Sequence, residues 1–132
     1  ENDITFLGQL SHDELLYYYT AKNIHCVVLP SLDLGNGLHE GIPVSLMEAM
    51  AYGKLVISTK TGSIPELLPD FLNVTTDDKD YLKLAKLMIY YISEPSIYKQ
   101  KCKDLRSLVS GEWSDCQSMA KLLNILKIRN KT

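Results

Sequence analysis

Ile24-His25-Cys26-Val27-Val28-Leu29-Pro30 is a nearly unbroken apolar run of strand length, closed by a proline. A run this short, without polar alternation, suits a central parallel strand covered on both faces. Leu55-Val56-Ile57-Ser58 repeats the pattern further along. Parallel neighbours cannot be joined by a tight turn and need a crossover, usually helical. Between the two runs, Pro43 suits a first helical position and Gly53 a left-handed position just past a helix end, so the spacing predicts a helix over 43–52. Working outward, Ile4-Thr5-Phe6-Leu7 before Gly8 reads as a first strand, and 72–75 as a fourth. Ser11-His12-Asp13-Glu14 is a capping box that opens a helix over 11–22, and a short helix is expected near 65–68. The layout is α/β and doubly wound, with about four parallel strands.

Thr76-Asp77-Asp78 marks a second cap-rich start, followed by a helix to about residue 93 with Leu84, Leu87, Met88 and Tyr91 on one face. Glu94-Pro95 breaks it, and further helices are expected over 96–109 and 115–128, the last opened by Ser114 with Gln117 three residues on. These C-terminal helices complete one domain, 1–132. It opens abruptly on Glu1-Asn2-Asp3 and is expected to be an incomplete piece of a longer protein.

At 132 residues with 45% apolar content, the chain can bury a core without staples. No apolar run reaches the roughly 18 residues needed to span a bilayer. With no secretory leader in view, a cytoplasmic location is expected. Cys26, Cys102 and Cys116 show no metal spacing and read as small apolar residues in a reducing compartment. His12 and His25 read as structural, whereas His39 directly precedes Glu40 and is a candidate to line a cleft. No metal site and no nucleic-acid surface are indicated.

Net charge is −2, but residues 1–80 hold 4 basic and 12 acidic side chains against 10 and 4 in 81–132. Lys121, Lys127, Arg129 and Lys131 could meet anionic headgroups in a peripheral contact at the inner membrane face, or simply form a solvated helix face. The tyrosines at 17–19 and 90–91 read as packing residues.

Chemistry concentrates in Glu40-Gly41-Ile42-Pro43-Val44-Ser45-Leu46-Met47-Glu48. Within the predicted helix Glu48 shares a stripe with Val44, Met47 and Ala51, and is expected to point inward or into a cleft. A carboxylate there needs donors to offset lost hydration, and its own helix has none. Gly41 lets backbone approach a ligand, and the free amides of a helix start suit a phosphate. Acceptors for hydroxyls therefore flank donors for phosphate. A loop or cap carboxylate for Glu40, and an ion pair with a lysine for Glu48, are the structural alternatives. Ligands of doubly wound sheets bind beyond the carboxyl ends of the strands. Pro30-Ser31, the loop 32–39 and Thr59 to Ser63 would all lie there. Asp33-Leu34-Gly35-Asn36-Gly37 reads as a closing loop or a passive turn.

The Glu40-x7-Glu48 spacing resembles the signature of retaining glycosyltransferases of family 4, which have the two-domain GT-B fold. The likeness continues through Val28-Leu29-Pro30-Ser31, Lys54-Leu55-Val56-Ile57-Ser58-Thr59 and Gly62-Ser63-Ile64-Pro65-Glu66, covering roughly residues 4–93. It implies part of a C-terminal, Rossmann-like donor-binding domain, with the N-terminal acceptor domain absent. On this resemblance Glu40 would bind hydroxyls of the transferred sugar and serve as the catalytic carboxylate. Glu48 would bind the ribose hydroxyls, and the amides of Gly41, Ile42 and Val44 the sugar and diphosphate. The donor would be a UDP-, GDP- or ADP-sugar used without metal, and the acceptor a glycan or lipid-linked glycan held by the missing domain. Many relatives carry glycine where Pro43 stands, and proline has no N–H to donate. Gly62-Ser63 likewise replaces a common Gly-Gly. No cation for the leaving diphosphate is identifiable, so this chain alone is expected to be inactive.

Two rivals stand beside this reading. One is a non-catalytic nucleotide-sugar-binding or docking module that pairs with another chain. The other is a related sugar-nucleotide epimerase, which the Gly41–Glu48 run fits less well. A receiver-type domain is disfavoured, because no strand ends in an acidic cluster.

Overall fold

Three parallel strands lie side by side in chain order: β1 (Cys26–Leu29), β2 (Leu55–Thr59) and β3 (Thr75–Thr76). The computed structural model describes residues 3–21, 24–35 and 41–111. Helix α1 (His12–Ala21) precedes β1, and α2 (Val44–Ala51) forms the crossover to β2. The short α3 (Ile64–Leu67) and a 3-10 turn at Asp70–Leu72 lead to β3, followed by α4 (Tyr81–Ser93) and α5 (Pro95–Gly111). Register pairs Cys26 with Leu55 and Leu29 with Ser58, then Ser58 with Thr75 and Thr59 with Thr76. This is the parallel α/β, Rossmann-like architecture expected from the sequence.

The central strand is β2 and not the run at 24–30. Every residue of β2 is buried, whereas all four of β1 are half-buried. The reason is pairing: among the described residues β1 has a neighbour on one side only. Ile4–Leu7 forms no strand. A strand is stable only as part of a ladder, and no described strand lies beside this segment, leaving Phe6 94% exposed. The described sheet thus has three strands where about four were expected. The last is also shorter than the expected 72–75. Pro69 and Asp70 wind the chain into the 3-10 turn, and Asn73 takes a left-handed φ of 53°, so the ladder begins only at Thr75.

Helix α2 turns Leu46, Ala49 and Met50 onto β1, β2 and α5, and all three are fully buried. With Leu55, Val56, Ile57, Ile64, Leu67, Leu68, Val74 and Leu105 they form the core. Helix α4 packs on β2, β3 and α5. Leu87 and Tyr91 are buried on it with Leu84 and Met88 beside them, the face expected from the sequence. Its cap is Asp80, which accepts from the Lys83 amide at 3.0 Å, rather than any of residues 76–78. Pro95 is the first residue of α5, where its missing N–H costs no helical bond. Tyr91 Oη donates to the Asn73 carbonyl at 2.9 Å and Lys101 Nζ to the Leu72 carbonyl at 2.7 Å, so α4 and α5 together clasp the turn before β3.

Cys26 is half-buried and Cys102 buried, both as free thiols. Residues 115–128, with Cys116 and the basic Lys121, Lys127, Arg129 and Lys131, lie outside the described residues. So do Asn36, Gly37, His39 and Glu40.

Candidate functional site

The sequence points to the start of α2 and the carboxyl ends of the strands, and the structure brings the start of α1 beside α2. At α1 the capping box is complete. The Ser11 amide and hydroxyl both donate to Glu14 Oε2 at 2.8 Å, and the Glu14 amide returns a bond to Ser11 Oγ at 3.3 Å. These bonds to the ionised form hold the Glu14 carboxyl below its usual range. His12 is the first residue of the helix that this box fixes.

At α2 the start differs from expectation. Pro43 is the N-cap, with φ −73° and ψ 115°, instead of the first helical residue, and among the described residues no side chain caps the helix. Its ring keeps φ in range, but its carbonyl is what the helix uses, accepting from Leu46 and Met47 at 3.1 and 3.3 Å. Of the residues singled out before it, Gly41 is exposed and Ile42 half-buried. A Cβ built on Gly41 would meet nothing within 4 Å among the described residues, so space adjoins this backbone there. Val44 is 60% exposed.

The far end of α2 is a Schellman closure. Gly53, at φ 69°, donates to the Met50 carbonyl and Lys54 to the Ala49 carbonyl, each at 2.9 Å. This stop fixes which residues face the core. The buried stripe is Leu46, Ala49 and Met50, because these are the side chains that reach β2 and α5. Glu48 shares the other stripe, with exposed Val44 and Ala51. It does not point inward; it is half-buried at the surface, its side chain 28% exposed.

Glu48 meets a partner that the sequence reading set aside as structural. His12 Nε2 lies 2.8 Å from Glu48 Oε1, joining the first turn of α1 to the second turn of α2. No lysine pairs with Glu48 among the described residues. Tyr19 is 4% exposed and its ring lies 5.9 Å from that of Tyr52. Burial, then the Glu48 charge, raises the Tyr19 phenol above its ordinary value, so it stays neutral beside the carboxylate. No local spacing signals the His12–Glu48 contact. It spans 36 positions and depends on how α1 docks beside α2.

The carboxyl ends of the strands are tied together. Ser58 Oγ donates to the Leu29 carbonyl at 2.7 Å and Thr59 Oγ1 to the Ser31 carbonyl at 2.6 Å. Asp33 accepts from the Gly35 amide at 2.8 Å, and Gly35 takes a φ of 67°, as a tight turn requires. Lys60 Nζ is 2.8 Å from Asp70, and that bond raises its pKa. The hydroxyls of Thr61 and Thr76 are buried without a hydrogen-bond partner among the described residues. A separate open cleft of 510 Å³ is lined by Leu10, Asp13, Glu14, Tyr17 and Tyr18. The structure therefore brings Glu48 to α1, yet neither Glu48 nor residues 41–44 lines that cleft. Among the described residues no three His, Cys, Asp or Glu side chains gather as a metal site, and no helix is long and apolar enough to cross a membrane.

Comparison with known proteins places this geometry in context. The family model described as glycosyl transferases group 1 matches residues 1–108. The chain is 29% identical over 126 residues to the GDP-mannose-dependent monoacylated alpha-(1-6)-phosphatidylinositol monomannoside mannosyltransferase of Corynebacterium glutamicum, which covers 95% of the chain and 32% of that protein. It is 41% identical over 68 residues to the amylovoran biosynthesis glycosyltransferase AmsK of Erwinia amylovora, covering 52% of the chain and 16% of that protein. The chain thus spans at most about a third of these relatives. No solved structure matches it.

Proposed function

This chain belongs to the glycosyl transferases of group 1, of GT-B type, and we propose that it is the donor-binding part of a family 4 enzyme that transfers a hexose with retention of configuration. The observation that carries the reading is the Glu48 carboxylate. It is accessible and held one turn from a helix start that no described side chain caps, just after the backbone at Gly41, which no described atom crowds. Glu48 accepts from the ribose hydroxyls of the nucleotide. The amides of Gly41, Ile42 and Val44 meet the sugar and diphosphate, because unpaired N–H groups and the helix dipole favour negative charge there. Glu40 takes the hydroxyls of the transferred sugar. Binding energy gathered on the nucleotide, away from the reacting carbon, orients the sugar for transfer.

The relatives support a hexose donor and a glycan or lipid-linked acceptor, the acceptor being held by a part of the protein beyond this chain. A GDP-mannose-dependent relative makes GDP-mannose the first donor to try. The free thiols fit a reducing, cytoplasmic setting.

Titrating UDP-, GDP- and ADP-hexoses into the full-length protein, beside its Glu48→Gln and Glu40→Gln variants, tests the reading. One donor should bind, Glu48→Gln should weaken it, and Glu40→Gln should lower turnover. The product anomer, read by NMR, should match the donor's configuration. Unaltered nucleotide affinity in Glu48→Gln would refute the ribose assignment. Binding without any transfer would favour a docking module instead.

A further inference from the structure

Glu48 has three side-chain torsions and sits at the surface, where a carboxylate left to itself samples many orientations. Here one of its oxygens is already engaged. His12 Nε2 stands 2.8 Å from Oε1, while Oε2 receives no hydrogen bond from any described residue. The imidazole is itself well placed to act as a fixed post. It leaves the first residue of α1, whose position the Ser11–Glu14 box sets with three hydrogen bonds. Buried Tyr19, its ring 5.9 Å from that of Tyr52, lies near enough for the Glu48 charge to raise its phenol.

An exposed pair of this kind adds little to folding stability, since His12 is 62% exposed and water screens it. Its consequence lies in orientation. The contact needs a proton on Nε2, so His12 donates and Glu48 accepts, and among the described residues the other carboxylate oxygen is unengaged and held in a restricted direction.

We propose that His12 is a positioning residue for nucleotide recognition: it holds Oε1 of Glu48 so that the other oxygen is presented, already ordered, to a ribose hydroxyl. This rests on the assignment of Glu48 to the ribose and extends it across to α1. A ligand group that meets a pre-ordered acceptor avoids the entropy of immobilising that side chain, which corresponds to roughly three- to tenfold in affinity. His12 does not touch the nucleotide in this arrangement, so its whole effect passes through Glu48.

The test is a cycle between the side chain and the ribose. The dissociation constants of GDP, UDP and ADP, each with its 2′-deoxy and 3′-deoxy counterparts, are measured by calorimetry on the full-length protein and on His12→Ala, His12→Gln and Glu48→Gln. The nucleotide that binds should weaken roughly three- to tenfold in His12→Ala. The deoxy analogue lacking the hydroxyl read by Glu48 should be unaffected by that substitution. His12→Gln, whose amide can still donate to Oε1, should recover most of the loss. Equal weakening of ribo- and deoxy-nucleotides in His12→Ala would mean a general structural effect and would overturn the proposal. If Glu48→Gln abolishes the ribo/deoxy preference but His12→Ala leaves it intact, the ribose assignment stands and the role of His12 falls. If Glu48→Gln leaves that preference unchanged, the ribose assignment itself fails.

Discussion

Replacing Gly53 by alanine isolates one conformational cost at the end of α2. Gly53 sits at φ 69°, and its N–H and that of Lys54 close the helix on the Met50 and Ala49 carbonyls. A Cβ in the left-handed region costs about 1–2 kcal/mol. Space adds nothing to this, since the new Cβ would lie 4.0 Å from Arg106 Cδ, an ordinary contact. Alanine also narrows the unfolded ensemble, which offsets roughly 0.4–1 kcal/mol. The net loss should be about 1 kcal/mol, read as a lower urea midpoint at unchanged slope by far-ultraviolet circular dichroism. Asparagine tolerates the left-handed region, so Gly53→Asn should lose less than Gly53→Ala. Gly41→Ala, with open space around its Cβ and no positive φ, should leave the midpoint almost unmoved. A Gly53→Ala midpoint equal to that of the parent, or an asparagine variant worse than alanine, would refute the reasoning.

Tyr91→Phe should cost about 1–2 kcal/mol in the same assay, because it leaves the Asn73 carbonyl without the donor that reaches it at 2.9 Å from a residue only 1% exposed. An unchanged midpoint would mean that water or Lys101 takes over this bond. Burial pushes the Cys26 thiol up to about 12 from an ordinary 9.0. Stability held by the neutral thiol is therefore whole below 9.0 and lost as pH rises toward about 12, since only the unfolded chain ionises in that window. Urea midpoints taken at about pH 8 and about pH 10 should fall, and Cys26→Ala should flatten that fall; an equally steep fall in the variant would refute it. Ser11→Ala should lower stability and return Glu14 toward its ordinary titration range in a carboxyl NMR experiment. Because the Glu14 pKa is depressed in the fold, its contribution is present above the unfolded value and disappears as pH falls through the folded one.

What the sequence disclosed was set by contacts close along the chain. The Ser11–Glu14 box, the glycine stop at 53 and the apolar run of β2 are local devices, and each is found where the residues place it. The same limit explains the departures. Burial of a strand depends on its neighbours, so the run at 24–30 could be recognised as a strand but not ranked as central or flanking. Ile4–Leu7 carries a strand's composition and has no ladder to join among the described residues. Pro43 is compatible with either the N-cap or the first helical position, and only the hydrogen bonds to its carbonyl separate them. For Glu48, periodicity identified its stripe, but of the two directions it left open, inward or into a cleft, the inward one does not hold. The heavier stripe of Leu46, Ala49 and Met50 took the core. His12 was illegible for the same reason, because its partner lies 36 residues away.

The two hydroxyl bridges at the sheet's rim have a mechanical consequence. Ser58 and Thr59 fasten the outgoing end of one strand to the carbonyl of Leu29 on its neighbour and that of Ser31 just past it, at 2.7 and 2.6 Å. Two connections that would otherwise hinge separately are thereby stitched into one plate. Any motion of one connection relative to the other must shear two short bonds. The rim consequently holds the ends of both strands in one fixed relation.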